Sequence, residues 1–133
     1  MEHGILPSKT LVETFEADRE QGKRGHLLAG EWAAEYAVAV LVINDAFPPA
    51  EIHENAADVF TVLEGSAMVT LGGTLVNPRT VKPGEIQGDT LEGGETKEVH
   101  VGDVISIPKG VPHQLETRGG HATFLITKIN HTV

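Results

Sequence analysis

Three side chains that could bind a metal ion lie close together in the segment 51–58. Glu51 and His53 are two positions apart, and since alternate residues of a strand point to the same face, both would face one side. Asp58 begins the next apolar run, and a hairpin-like return would bring its carboxylate beside the first pair. The segment contains no cationic side chain, so a divalent cation would relieve the repulsion between the two carboxylates.

A fourth candidate ligand, His113, follows two predicted tight turns. Gly102 predicts the first turn, residues 104–107 predict a strand, and Pro108-Lys-Gly110 predicts the second turn. A further strand would begin at His113. Because this corner fixes the backbone on both sides, the imidazole would be oriented in advance, as a metal ligand requires.

Short apolar runs between Gly and Pro turns predict the strands that would position these residues. The predicted strands cover residues 37–43, 59–63, 67–71, 104–107, 113–117 and 123–129. The runs 59–63 and 67–71 flank Glu64-Gly65-Ser66, which predicts a hairpin. Many short strands of this kind favour an all-β sandwich or barrel.

Two segments lie outside the predicted strands. Thr10 opens a capping-box spacing, which predicts a short helix ending near Gly22. The segment 72–96 is rich in Gly, Pro and Thr, which predicts a long loop that serves as a lid, a binding loop or a flexible insert. A solvated loop is the default expectation, but if the loop closes, its side chains Arg79, Lys82 and Glu85 could hold a charged substrate.

The sequence also suggests positions for four other polar and aromatic residues. His100 is expected on the surface, whereas His121 fits a pocket or the surface equally well. Gln114 follows His113 and would face the opposite side, where a packing role or a place at the pocket rim is expected rather than catalysis. Trp32 could line a pocket mouth or a dimer interface.

The composition describes an acidic domain without cysteine. A length of 133 residues fits one domain, 1–133. The net charge of −9 makes nucleic acid and anionic membranes poor partners. Without cysteine, any metal would be held by His, Asp and Glu. The first residues do not resemble a secretory signal and no apolar run reaches membrane-spanning length, so a cytoplasmic location is expected.

The corner before His113 resembles the second signature motif of the cupin superfamily. That motif reads Gly, five residues, Pro-x-Gly, two residues and His, and it is filled by Gly102, Pro108, Gly110 and His113. The Asn that loosely ends the motif is replaced by Thr117.

The segment 51–65 resembles the first cupin motif, which reads His-x-His, four residues, Glu, six residues and Gly. Glu51, His53, Asp58 and Gly65 occupy these positions with the spacing intact, although the first His is Glu51 and the usual Glu is Asp58. The resemblance covers about residues 37–129. It implies an all-β cupin fold, a double-stranded β-helix or jelly-roll barrel, here with a short N-terminal helix. The whole chain is similar to small single-domain bacterial cupins without an assigned reaction, which are commonly dimers, so a homodimer is expected.

The resemblance implies a metal site formed by Glu51, His53, His113 and Asp58. Asp58 would bind directly, bind through water, or act as a catalytic general base. Two imidazoles and a carboxylate are also the donors of the non-haem iron facial triad, and the oxygen ligands favour Fe, Mn, Ni or Zn without choosing among them.

Two functions follow from this site. The first is a metal-dependent enzyme of the oxygenase, isomerase or lyase type that acts on a small polar organic molecule. The alternative is a non-catalytic small-molecule-binding or sensor cupin, and a cupin that has lost its metal, with Glu51 as a polar pocket residue, is also open. A reachable pocket beside the ligands would favour the enzyme, whereas a closed site would favour binding or structure.

Overall fold

The computed structural model describes residues 4–15 and 22–131, which form one helix and a series of antiparallel strands. Helix α1 spans Ser8–Phe15 and begins two residues before the capping box. The predicted helix end near Gly22 falls among residues 16–21, outside the described part. No helix in the described ranges is both long enough and apolar enough to cross a membrane.

The strands confirm the all-β prediction. In chain order they are β1 (Gly22–Gly30), β2 (Tyr36–Asn44), β3 (Ala50–His53), β4 (Ala56–Leu71), β5 (Thr74–Leu75), β6 (Arg79–Lys82), β7 (Glu85–Gly88), β8 (Leu91–Glu92), β9 (Glu95–His100), β10 (Val104–Ile107), β11 (His113–Glu116) and β12 (His121–Asn130).

Strand β4 belongs to two sheets. In the first sheet, the first half of β4 pairs with β12 and β10, and β12 continues through β2 to β1. In the second sheet, the second half of β4 pairs with β9 and β11, and β11 continues through β3 and β7 to β6. Apolar side chains of both sheets pack in one core, around the ring pair Phe60 and Phe124 with centroids 5.7 Å apart. The core therefore lies between the two halves of a barrel.

The predicted hairpin across Gly65 is wrong, because β4 runs without a turn from Ala56 to Leu71. Gly65 has φ 75° and is the last residue of β4 that pairs with β12, whereas Ser66 already pairs with β9. The β12 register shifts two residues earlier, where Leu63 is the extra residue between Val62 and Glu64. The strand therefore passes from the first sheet into the second at a glycine with positive φ, next to a β-bulge.

The segment 72–96 also differs from the expected loop, since it contains β5 to β8 and the start of β9. Strands β6 and β7 form a hairpin, and β7 pairs with β3, which carries Glu51 and His53. All four residues of β6 are exposed, so the strand lacks the apolar alternation that would have revealed it.

Helix α1 covers part of the outer face of the first sheet. Leu11 packs with Val40 and Val42 of β2 in a small second cluster. These residues alternate with the inward-facing Leu41 and Ile43, as the two-residue period of a strand requires.

Candidate metal centre

Two neighbouring strands present the predicted ligands to the same side. Glu51 and His53 share a face of β3, and Glu51 is the direct cross-strand partner of His113 at the start of β11. The Pro-x-Gly turn is tied to this place because the N–H of Gly110, at φ 81°, donates to the carbonyl of His53 over 2.8 Å. The turn therefore fixes both strands at the site.

The three ligand atoms converge at distances that suit a bound metal. Oε2 of Glu51 is 3.6 Å from Nε2 of His53 and 3.8 Å from Nε2 of His113. One donor atom from each residue lies within 4.8 Å of the other two. Ligands about 2.1 Å from a common ion would be roughly 3.0–3.5 Å apart, so small adjustments complete the site. The donor set fits a divalent transition metal.

Hydrogen bonds orient both imidazoles with Nε2 toward the site. Nδ1 of His53 donates to the carboxylate of Glu85, whose oxygens are 2.7 and 2.8 Å away. Nδ1 of His113 donates to the carbonyl of Val111 over 3.1 Å. Metal-binding histidines commonly have such a partner on the other nitrogen, since it fixes the tautomer and the ring orientation.

Asp58 joins the site from the opposite sheet rather than through a hairpin return. It lies near the start of β4, where it pairs with β10 and β12, while β3 pairs with β11 and β7. The residue is buried, at 4 % exposed, and its Oδ2 lies 3.2 Å from Nε2 of His53 across the barrel. Asp58 is therefore near the candidate metal position but outside the three-residue cluster.

Two lysines approach the carboxylates, although the segment 51–58 itself contains none. Nζ of Lys23 is 3.4 Å from Oε1 of Glu51, and Nζ of Lys128 is 3.6 Å from Oδ1 of Asp58. Lys128 is the cross-strand partner of Asp58 on β12. In each carboxylate one oxygen faces a lysine and the other faces the imidazoles, so the ion pairs leave an oxygen for a metal.

The neighbouring cations keep both carboxylates ionised. Burial raises the pKa of Glu51, but Lys23 and the two imidazoles outweigh it, so this pKa lies below its usual value. Burial likewise raises the pKa of Asp58, and the hydrogen bond to His53 together with Lys128 brings it below the usual value. Both groups are therefore carboxylates at neutral pH.

The two imidazoles are affected in opposite directions. Burial lowers the pKa of His53, but hydrogen bonds to Asp58 and Glu85 outweigh it, so the pKa is raised overall. The pKa of His113 is lowered, chiefly because burial disfavours its charged form, and its hydrogen bond to Val111 opposes this only in part. His113 is thus the imidazole more readily available as a neutral ligand.

A cavity of about 560 Å³ opens beside the cluster. Glu51, His53 and Asp58 line it, whereas His113 is 3 % exposed and lies behind them. Trp32 lines the cavity and is itself exposed, which agrees with the pocket position predicted as one of its two alternatives. Molecules from solution can therefore reach the candidate ligands.

Other residues singled out in the sequence lie away from the cluster. His100 is exposed, as expected, and its Nε2 is 2.8 Å from Glu98. His121 pairs with Glu64 over 2.6 Å and does not line the cavity. Arg79 lies 3.0 Å from Asp89 rather than at the cavity.

Two buried polar residues after His113 have structural contacts. Gln114 donates through Nε2 to the carbonyl oxygens of Pro48 and Asp89, which confirms its predicted packing role. Thr117 accepts through its hydroxyl oxygen from the N–H of Ala46.

The sequence missed the roles of Glu85, Lys23 and Lys128. Glu85 was expected in a solvated loop, because the strand pairing that sets it opposite His53 was not predicted. A signal for Lys128 did exist, since it lies in an apolar strand at the same alternation as the buried Phe124 and Ile126. A cation on the inner face of a barrel strand indicates an acidic partner inside.

Comparison with known proteins gives one family. A family model described as Cupin matches residues 34–132, about three quarters of the chain. A search of curated proteins found no significant match.

Solved structures share the fold at low sequence identity. The cupin domain of Schizosaccharomyces pombe Cnp3 is 16 % identical, with a TM-score of 0.60 and coverage of 81 % of this chain and 61 % of that one. DMSP lyase DddQ from Ruegeria pomeroyi is 18 % identical, with a TM-score of 0.60 and coverage of 82 % and 47 %. An oxalate oxidase in complex with the substrate analogue glycolate is 18 % identical, with a TM-score of 0.58 and coverage of 84 % and 53 %. The chain thus spans about half to three fifths of the length of these proteins.

The family match spans both motifs, the barrel positions them as the motifs require, and the solved neighbours share that barrel. This chain belongs to the cupin family.

Proposed function

We propose that this cupin is a metal-dependent enzyme in which Glu51, His53 and His113 bind one divalent transition metal. The observation that carries the proposal is the convergence of Glu51 Oε2 with the Nε2 atoms of both histidines, at 3.6 and 3.8 Å. The donors, two imidazoles and a carboxylate, suit Fe, Mn, Ni or Zn.

The substrate in this proposal is a small polar organic molecule that enters the cavity of about 560 Å³. The chemistry that a bound metal supplies is Lewis-acid polarisation of a substrate oxygen, with redox chemistry added if the metal is iron. The protein contributes the walls that limit substrate size and a ligand set held by hydrogen bonds before the substrate arrives.

Asp58 is the proposed proton-transfer group. Its carboxylate is ionised, lines the cavity, and lies 3.2 Å from His53, so it can accept a proton from a substrate bound there. A direct bond from Asp58 to the metal, or one through water, would require a shift, because Asp58 lies outside the three-residue cluster. Lys128 lies beside its other oxygen and stabilises the ionised form.

The cavity favours an enzyme over a closed structural or binding site, because two candidate ligands and Asp58 face it. Two of the solved structures with this fold are described as a DMSP lyase and an oxalate oxidase. At 18 % identity they show the fold alone, and the proposal takes from them only that this barrel accommodates lyase and oxidase enzymes.

Metal content of purified variants tests the ligand assignment. We expect near-stoichiometric metal in the wild-type protein by elemental analysis and a strong loss in Glu51→Ala and His113→Ala. His100→Ala is the matched control, since it removes an exposed imidazole paired with Glu98. Equal metal in all three variants, each shown to be folded by circular dichroism, would refute the assignment.

A homodimer and a cytoplasmic location remain proposals. The dimer is supported by exposed apolar side chains on one outer face of neighbouring strands, namely Val59 of β4, Val104 of β10 and Ile129 of β12. Nucleic acid and anionic membranes remain unfavoured partners because of the net charge of −9.

A further inference from the structure

The cavity beside the candidate metal centre contains a set of cationic side chains that metal binding does not use. Lys23, Lys82 and Lys128 line it, together with the carboxylates of Glu51, Asp58 and Glu85. Three lysines balance three carboxylates, so a divalent cation at the cluster would leave the cavity with an excess of positive charge. The chain as a whole has a net charge of −9, so this pocket would be a positively charged region in a negatively charged protein.

We propose that the cavity binds a small organic acid, with its carboxylate among these lysines and its hydrocarbon part against the apolar wall. The inference rests on the proposed metal site for the charge excess, and it adds the substrate class to that site. Its first support is Lys128, which is only 13 % exposed at its side chain and reaches the cavity from the inner face of β12.

Lys128 has more hydrogen-bonding capacity than its one protein partner uses. In the described part of the chain its ion-pair partner is Asp58, at 3.6 Å, whereas an ammonium carries three donors. That distance is also too long for a close hydrogen bond. A ligand carboxylate beside Lys128 would therefore use donors that are already shielded from water, where charge-assisted hydrogen bonds are strong.

Lys82 supports the same conclusion at the edge of the cavity. It lies at the end of β6, and no ion pair joins it to a carboxylate of the residues described here, although Glu85 is its cross-strand partner. Lys23 lies on β1, and its Nζ is 3.4 Å from Oε1 of Glu51. The three lysines thus come from three separate strands, and all of them line the same cavity, as an anion-binding site requires.

The apolar residues that line the cavity favour an organic acid over an inorganic anion. The cavity is lined by three buried core residues, Leu41, Phe60 and Ile126. The exposed residue Trp32 lines it as well. Contact with these side chains would release water from a hydrocarbon part of the ligand. A volume of about 560 Å³ has room for both parts.

Matched pairs of acids and amides test the charge preference. Acetate, propanoate, succinate and benzoate, each beside its amide, would be titrated into the protein loaded with diamagnetic Zn²⁺ and followed by two-dimensional NMR. We expect at least one acid to bind roughly 10 to 100 times more tightly than its amide, as charge-assisted hydrogen bonds imply, with shifts at cavity residues. If no acid outcompetes its amide, the inference is overturned.

Lysine variants locate the acid within the cavity. Lys128→Gln should weaken acid binding about tenfold or more, and the exposed Lys82→Gln should weaken it several-fold without risk to the core. Lys97→Gln is the control, because it removes an equal charge from a lysine that is 74 % exposed on β9 and remote from this cavity. Equal acid affinity in the wild-type, Lys82→Gln and Lys97→Gln proteins would overturn the lysine assignment even if Lys128→Gln fails to fold.

Metal content measured on the same samples separates this inference from the proposed function. A protein that binds metal but prefers no acid retains the metal site and loses the acid site. A protein without metal at Glu51, His53 and His113 loses the proposed function. If that metal-free protein still prefers an acid to its amide, the lysine site is supported, and if it shows no preference, the inference is overturned as well.

Discussion

At the residue scale, the site depends on which oxygen of each carboxylate contacts a lysine and which contacts an imidazole. Glu51 directs one oxygen to Lys23 and the other to two imidazole nitrogens, while Asp58 divides its oxygens between Lys128 and His53. The lysines hold the carboxylates in position without occupying the oxygens that face the imidazoles. Buried charges are tolerated here because each has an opposite charge in contact.

Glu85 is predicted to orient His53 for metal binding. Glu85→Gln preserves the size of the side chain but replaces the charged carboxylate that accepts the hydrogen bond from Nδ1 of His53 with a neutral amide. We therefore expect the metal affinity to fall about 10- to 100-fold. Competition against a chelator of known affinity measures this change. Glu98→Gln is the matched control because Glu98 has the equivalent contact with the surface residue His100. An unchanged affinity in Glu85→Gln would show that the hydrogen bond does not support the metal site.

The two imidazoles should titrate on opposite sides of the usual value near 6.5 in the metal-free protein. The raised pKa of His53 means that its contribution to stability is present at low pH and lost as pH rises through the folded value. The lowered pKa of His113 means that its contribution is present above the unfolded value and lost as pH falls. Imidazole resonances followed by NMR after chelation measure both, and the reverse order of titration would contradict the described contacts.

Much of the residue-scale site could be predicted from sequence, and part of it could not. The motif spacing predicted the candidate cluster of Glu51, His53 and His113 that the structure brings together, with Asp58 beside His53. It could not identify Glu85 or Lys23, because their contacts depend on strand pairing between β3 and β7 and on the path of β1. Sequence spacing carries information about side chains on one strand, but little about which strands become neighbours.

At the element scale, β4 is the strand that connects the site to the core. It carries Asp58 in the first sheet, bends at Gly65, and continues into the second sheet, where it pairs with β11. The Gly-bearing segment 64–66 predicted a turn because a glycine that adopts positive φ is typical of tight turns. The pairing of Gly65 with β12 and of Ser66 with β9 instead keeps the segment inside one strand.

Gly65→Ala should destabilise the fold by more than strain alone. At φ 75° an alanine is strained, and its Cβ would also meet the carbonyl oxygen of His121 on the neighbouring strand β12. Gly119→Ala is the matched control, with φ 72° but open space around the new methyl group. We expect a loss of about 1 kcal/mol for Gly119→Ala and about 2 kcal/mol or more for Gly65→Ala, measured by denaturant unfolding. Equal losses would mean that the backbone around Gly65 relaxes without cost.

At the scale of the whole molecule, the barrel brings together groups from distant parts of the sequence. His53 and His113 are sixty positions apart, yet their rings lie 5.0 Å from centroid to centroid. Asp58 and Lys128 reach them from the first sheet, whereas Glu51, Glu85 and both histidines belong to the second. A ligand bound at this place contacts both sheets and should stabilise the folded barrel.

The most direct test of the account is anomalous diffraction from crystals of the purified protein, recorded on both sides of a metal absorption edge. We predict one peak about 2.0–2.3 Å from Nε2 of His53, Nε2 of His113 and Oε2 of Glu51, at an edge of Fe, Mn, Ni or Zn. A peak at another place, or an ammonium group of Lys23 or Lys128 lying between these three atoms in crystals grown with metal, would contradict it.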